Sequence, residues 1–339
     1  MNDRRPSLST RGGDVKPPPI ALVTGAAGFL GSHMAARLAR SGWHVLGIGN
    51  GLLSKDQQTA IGIRHWQAGS VQADSIDNLI RDHGTPELVV HAAGGASVRA
   101  AEENAEADRQ RTVASTAALL DALRHRAPDT CLLLPSSAAV YGNDHDTPIV
   151  EAAAVTPISA YGRHKRQAEE LCLEAATHGS LRLAIIRFFS LYGAGLRKQI
   201  FWDLWNKMGR GGTLILGGTG DETRDFMHID DATRLLLHVA PHTSPKTPII
   251  VNGGTGRATT IREATLLMER LCGSTAQLSF SGEARQGDPA HLVADVTRLE
   301  KLGYSHTVTL PDGLADYARW LNGDASPAAS ASDRRSGAL

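Results

Sequence analysis

Tyr161 and Lys165 stand four residues apart in "SAYGRHKRQAEE", residues 159–170. On an α-helix that spacing sets both side chains on one face. A phenol has an ordinary pKa of about 10, too high for a base at neutral pH, and a neighbouring ammonium favours its ionised form. The pair has the makings of a proton exchanger for a bound hydroxyl. Two surface side chains would show the same spacing, so the elements around the pair must decide.

The elements begin with "IALVTGAAGFLGSHMAARLARSGWHVLGIGN". The apolar run Ile20–Val23 is that of a strand buried on both faces. Gly25, Gly28 and Gly31 follow, opening a helix with Met34 and Leu38 on one face and Gly42 at its close. A second apolar run, Val45–Ile48, completes a β-α-β unit. Glycines at this turn let the backbone approach a pyrophosphate seated on the positive end of the helix, so the pattern predicts a dinucleotide site. The acidic residue that commonly holds the adenosine ribose of NAD at the end of the second strand is absent. Gly49 and Asn50 stand there, with Lys55 the nearest cation, so the choice between NAD and NADP stays open.

Downstream, Leu88–His91, Leu132–Leu134 and "LRLAIIRFF" read as further buried strands, alternating with helices. That alternation predicts a doubly wound parallel sheet with ligands at the strands' carboxyl ends. Gly31, Gly94, Ser137 and Ser190 all follow strands and are expected to line one crevice.

The 339-residue chain has a formal net charge of zero, 42% hydrophobic and 21% charged residues. Nothing in that balance draws the molecule to nucleic acid or to an acidic membrane. Cys131, Cys172 and Cys272 are too few and scattered for a disulfide framework or a metal site, which points to a reducing cytoplasm. No apolar stretch is long enough to span a bilayer. Residues 1–19, polar, basic and proline-rich, and the tail 323–339 have disordered character. Arg4-Arg5 resembles a twin-arginine signal but lacks the apolar core that would follow it.

Taken together, these residues resemble the extended short-chain dehydrogenases/reductases of the NAD-dependent epimerase/dehydratase family, which act on nucleotide sugars. "TGAAGFLGSH" resembles the cofactor loop, "SSAAVYG" the catalytic serine strand, and "YGRHK" the YxxxK helix. "RFFSLYGAG" is similar to the family's RxxNxYGP stretch and "TRDFMHIDD" to its RDFxHVxD segment. "ARQGDPAHLVAD" and "LEKLGYSHTVTLPDGLADYARWL" resemble its closing segments. The resemblance implies a Rossmann domain over 20–187 and a smaller, mainly substrate-binding lobe over 188–322. Later segments such as "DFMHI" and "IIVNGG" are expected to return to the sheet.

The same resemblance implies Ser137, Tyr161 and Lys165 as catalytic residues, with Tyr161 exchanging a proton while hydride passes between the sugar and the nicotinamide. It implies cofactor contacts from Gly25, Gly28, Phe29, Leu30, Gly31, Asn50, Ser70, Val71, Ala92, Ala93, Gly94 and Phe189 as well as Tyr161 and Lys165. Ser190, Arg224 and Arg285, with Ser137, are its substrate positions, and Arg197 and Lys198 are weaker candidates for the diphosphate. A homodimer through a four-helix contact that includes the YxxxK helix is also implied.

Absent residues narrow the reaction. Family dehydratases place an Asp-Glu pair directly after the catalytic serine, where this chain has Ala138 and Ala139. Decarboxylases place Glu at the second of these positions, and no Cys lies beside a motif as 3/5-epimerase chemistry would need. A 4-epimerase is the first expectation, with NAD as cofactor and NADP not excluded. A 4-keto-sugar reductase is the alternative, and a dinucleotide-binding sensor without turnover is the reading of another class. Several family positions are altered: Gly49, Ser70, Thr112, Ser190 and Ala194 replace an acid, an Asp, two Asn and a Pro. His91 and His228 are expected to be structural, and Trp202 and Trp205 to fill the smaller lobe's core.

Overall fold

The computed structural model describes residues 17–143, 145, 148–208, 212–274, 276–283 and 289–323. Nearly all of the expected leader and tail, and Arg285, lie outside the described residues. Strands β1 (Ile20–Thr24), β2 (His44–Gly49), β3 (His65–Ala68), β4 (Leu88–His91), β5 (Cys131–Ser137) and β6 (Arg182–Phe188) join Ile249–Gly253 in one seven-stranded sheet. All its pairings are parallel, and the order runs β3-β2-β1-β4-β5-β6 with Ile249–Gly253 beside β6. The expected doubly wound sheet is therefore present. Its order reverses between β1 and β4, and ligands of such sheets bind outside the strand ends at that point.

Side chains of a strand alternate between its two faces, which is why the central strands carry apolar residues on both. Ala21 and Val23 pack with Met34 and Leu38 of the helix Phe29–Arg40 and with Leu235 and Leu236 of Ile229–Val239. Leu22, Leu46 and Ile48 face the opposite core, built with Ile76, Leu119, Leu123 and Cys172. A separate core after Phe188 gathers Tyr192, Phe201, Phe226, Met268 and Tyr317, with Trp202 and Trp205 packed against it. The two tryptophans thus sit where expected.

The later segments return only in part. Ile249–Gly253 joins the sheet, pairing with Ala184–Phe188 of β6. Phe226–His228 instead pairs in parallel with Ser190–Tyr192 as a two-stranded ribbon outside it. The expected return of "DFMHI" to the main sheet is corrected accordingly. Its physical reason is that Ile249–Gly253 already takes the free edge of β6. Among the described residues no helix is long and apolar enough to cross a membrane.

The helix Ala160–His178 is tied down from both sides. Ser159 caps its start by accepting from Gly162 N at 3.0 Å, and Ala160 N donates to Glu102 Oε1 at 2.8 Å. Further along, Glu169 is 3% exposed and binds Arg187 of β6, itself 5% exposed, through Oε2 at 2.7 Å from Nη2. The Ser136 hydroxyl donates to the same carboxylate, and the Arg187 guanidinium lies 4.9 Å from the centroid of the Tyr141 ring. Removing one member of a buried ion pair strands the other charge, at a cost of about 3–5 kcal/mol. Glu169→Ala is therefore expected to lower the denaturant midpoint by that equivalent, whereas Glu170→Ala, which breaks the half-exposed pair with Arg166, changes stability by less than about 1 kcal/mol. Equal effects in urea unfolding would contradict the assignment.

Candidate active site

At the switch point the backbone is packed too closely for any side chain. Gly25 has φ +63°, and a Cβ on it would stand 2.7 Å from the Ala92 carbonyl carbon. A Cβ on Gly31 would stand 2.2 Å from the Gly25 carbonyl oxygen, so the helix can approach β1 only because residue 31 is glycine. Gly28 caps the helix, its N–H donating to Gly25 O at 2.8 Å. The unshared N–H groups of the first turn and the positive helix end make this a site for a diphosphate.

The turn opens into a cavity of about 1300 Å³. One end is lined by the glycine turn with Phe29 and Leu30, and then by Gly49, Asn50, Ser70 and Val71. Ala92, Ala93 and Gly94 form the middle, and Ser137, Tyr161, Lys165 and Phe189 the other end. Every expected cofactor residue therefore lines a single crevice. No Asp or Glu is found among the described residues lining it, and its cations are Arg111, Lys165 and Lys198. An elongated cavity with a glycine cradle, cations and no carboxylate fits a dinucleotide carrying two phosphates.

Ser137 ends β5, and its hydroxyl accepts from Ala139 N at 3.2 Å, capping the short helix Ala138–Val140. That turn meets the helix of Tyr161 closely, since a Cβ on Gly162 would stand 2.5 Å from Ala139 O. The contact brings Tyr161 and Ser137 into hydrogen-bonding company. Lys165 Nζ donates to Pro135 O at 3.3 Å and would stand 3.4 Å from a Cβ on Gly94, so it spans from the strand end to the floor of the cavity.

Burial pushes the Tyr161 phenol up to about 12; the Ser137 hydrogen bond pulls it down and the charge of Asp108 pushes it up. Burial pushes Lys165 down to about 8, against the pull of Asp108 and Glu169. Lys165 Nζ lies 5.8 Å from the Tyr161 ring centroid. Asp108 is 1% exposed and accepts from His164 Nδ1 at 2.6 Å, one residue before Lys165.

His91 is structural by its bonding. Thr116 Oγ1 donates to Thr112 O at 2.6 Å, so it can only accept from His91 Nε2–H at 3.0 Å. Nδ1 then accepts from Thr24 Oγ1 at 2.7 Å, and burial holds the ring neutral, its pKa down to about 3. His228 caps Ile229–Val239 through Asp230 N and is likewise buried.

Some expected residues lie off the cavity. Ser190 pairs with Phe226 in the ribbon, between the lining residues Phe189 and Leu191. Arg224 is half-buried away from the lining, its Nη1 donating to Thr223 O at 2.8 Å. It does not pair with Asp225, whose carboxylate is taken up by Thr255, Gly256 and Ala294 N–H groups. Arg197 stacks over Trp202 and Trp320, whereas Lys198 turns into the cavity and donates to Ala96 O at 3.2 Å. The ranking of the two basic neighbours as equal candidates is thereby split. Gln110, Arg111 and Gln199 line the cavity without having been expected. The first two sit in a π-helical turn, Gln110–Ala114, and Gln199 has φ +68°; such irregularities cluster at functional sites but leave no composition signal.

Residues 21–254 match the family model described as NAD dependent epimerase/dehydratase family. The chain belongs to that family. This family member is 28% identical over 318 residues to the UDP-glucose 4-epimerase of Azospirillum brasilense, covering 87% of the chain and 90% of the relative. Its fold matches the UDP-glucuronic acid 4-epimerase of Bacillus cereus, solved with UDP-glucuronic acid and NAD, at TM-score 0.79 and 26% identity over 90% of this chain and all of the other. It also matches MoeE5, solved with UDP-glucose and NAD, at TM-score 0.79 and 29% identity, covering 90% and 99% of the two chains.

The opposed shifts predict a titration. In the dinucleotide-free protein the phenolate absorbance that Tyr161→Phe removes should be absent up to about pH 10, the ordinary tyrosine value, because burial holds this group near 12. Saturating NAD⁺ should bring it in at lower pH, since a cation stabilises the phenolate. A band below pH 10 without dinucleotide would refute the burial argument.

Proposed function

We propose that the protein is a nucleotide-sugar 4-epimerase, with UDP-sugars as the substrate class. The observation that carries this reading is the lining of the cavity: Ser137, Tyr161 and Lys165 share one end, and no other Asp, Glu, His or Cys stands among its described residues. A dehydratase or a 3/5-epimerase needs additional acids and bases, and 4-epimerisation does not. The family likeness and the UDP-sugar complexes of the two neighbours support the same reading.

Bound NAD⁺ supplies the hydride acceptor for the sugar C4, and in its reduced form the donor that restores it. Tyr161 takes the proton of the 4-hydroxyl through its phenol oxygen and returns it when the ring presents its other face. Ser137 donates a hydrogen bond to the same oxygen and steadies charge that develops there. Lys165, anchored by Pro135 O, offers its ammonium to the cofactor-side hydroxyls and keeps positive charge near the phenol. Lys198, Arg224 and Arg285 are the proposed grips for the diphosphate, their forked or pointed donors suited to it. Ser190 is proposed to meet the sugar from the edge of the ribbon. The reading extends to a homodimer formed through the helix Ala160–His178, to a cytoplasmic location, and to domain limits at 187 and 188.

A panel of UDP-glucose, UDP-glucuronic acid and UDP-N-acetylglucosamine tests the proposal. One of them should equilibrate with its 4-epimer without net consumption of added dinucleotide; stoichiometric consumption of reduced dinucleotide with a 4-keto sugar would install a reductase instead. Tyr161→Phe should lower kcat by about 10²–10⁴ and Ser137→Ala by about 10²–10³, with dinucleotide binding retained in both. Turnover undiminished in Tyr161→Phe would sink the assignment of the acid/base.

A further inference from the structure

The carboxyl end of β2 is where the adenosine ribose of a dinucleotide lies. An acidic side chain there selects the free 2′-hydroxyl, and an arginine nearby welcomes a 2′-phosphate. This chain has neither: Gly49 stands there, with Trp66 of the neighbouring strand beside it. β2 reads "HVLGIG", and Gly47 is paired in register with Trp66 of β3. A Cβ on Gly47 would stand 3.2 Å from the indole Cε3, and a Cβ on Gly49 3.0 Å from Cη2. Gly47 leaves room for Ile63, whose Cδ1 would stand 2.8 Å from a Cβ there, as well as for the ring, and at Gly49 the ring lies where a side chain would leave the strand. That Cβ on Gly49 would also lie 3.6 Å from Ala26 N and 3.7 Å from Gly25 Cα, so its side chain would run beside the phosphate turn.

What remains at this end of the cavity is neutral: Asn50, Leu52, Leu53, Gln57 and Ser70. Lys55, the nearest cation in sequence, bonds Gln58 and lines a separate cleft with Trp43 and Arg64. Lys165 and Lys198 belong to the opposite end, held by Pro135 O and Ala96 O.

We propose that the adenosine end of this pocket takes NADP(H) as well as NAD(H), with Gly49 as its specificity-determining residue. Selection against a 2′-phosphate arises from a carboxylate that bonds the hydroxyl and repels the phosphate. With glycine at residue 49 in place of an acid, both contributions vanish, and Lys55, which lines a separate cleft, does not replace them with the opposite preference. The inference rests on the dinucleotide site of the proposed function but not on which sugar reaction follows.

Titration calorimetry of the full chain, stripped of bound dinucleotide, with NAD⁺ and with NADP⁺ tests it directly. The two Kd values should agree within about tenfold, or about 1.4 kcal/mol; a larger gap in either direction overturns the proposal. In Gly49→Asp/Trp66→Leu the restored carboxylate should weaken NADP⁺ relative to NAD⁺ by about ten- to a hundredfold, the worth of one charge-assisted hydrogen bond. Trp66→Leu alone should leave the ratio unchanged, and an unchanged ratio in the double variant would remove residue 49 as the determinant. Absence of binding by either dinucleotide overturns the inference together with the pocket. Binding without sugar turnover overturns only the epimerase reading.

Discussion

The structure depends on one close approach. The first helix rests against β1 through Gly31, and the turn before it rests against the end of β4 through Gly25. A methyl group at either place would overlap backbone that cannot yield, because Ala92 and Gly25 are fixed by the sheet and by the Gly28 N–H bond. Everything that makes the crevice useful follows from that contact. It sets the positive helix end over the point where strand order reverses, and it leaves space between β1 and β4 for a flat ring. Thr24 helps hold the two strand ends together, its hydroxyl accepting from Ala93 N at 3.1 Å while donating to His91.

The end of the cavity at Tyr161 obeys a different constraint, the burial of charge. Lys165 and Tyr161 lie in a wall whose nearest fixed charges are Asp108 and Glu169, each already engaged by its own partner. Burial works against the phenolate and against the ammonium alike, so the protein alone keeps Tyr161 protonated and makes the lysine easier to deprotonate. A cation placed in the cavity would oppose the first effect, since it stabilises a phenolate.

Much of this was legible in the chain. The strands announce themselves by unbroken apolar runs, and Leu88–His91 falls where the run does. The glycine turn and Ser137 at a strand end mark the crevice by local chemistry, and the family resemblance adds Tyr161 and Lys165 to it. What was not legible depends on partners far apart in sequence. Nothing local says that the edge of β6 goes to Ile249–Gly253 and not to Phe226–His228, since both are short apolar strands. Lys198 and Arg197 are neighbours of like charge, and only the packing of Trp202 and Trp320 decides which of them faces the cavity. The contribution of Arg111 and Gln110 comes from a π-helical turn that no periodicity reveals.

The altered family positions divide along the same line. Thr112 replaces an asparagine yet still secures the floor of the cavity, its hydroxyl accepting from Gly95 N at 2.8 Å. Ala194 replaces a proline, and its carbonyl accepts from His33 of the first helix at 2.8 Å, tying the loop after β6 to the glycine turn's own helix. At these two places a backbone-holding duty is kept by a different residue. Gly49 and Ser70 differ in kind, because each exchanges a charged group that would touch the ligand for one that holds nothing charged. Both of these changes fall at the adenosine end of the cavity, where the ring of Trp66 lies beside Gly49.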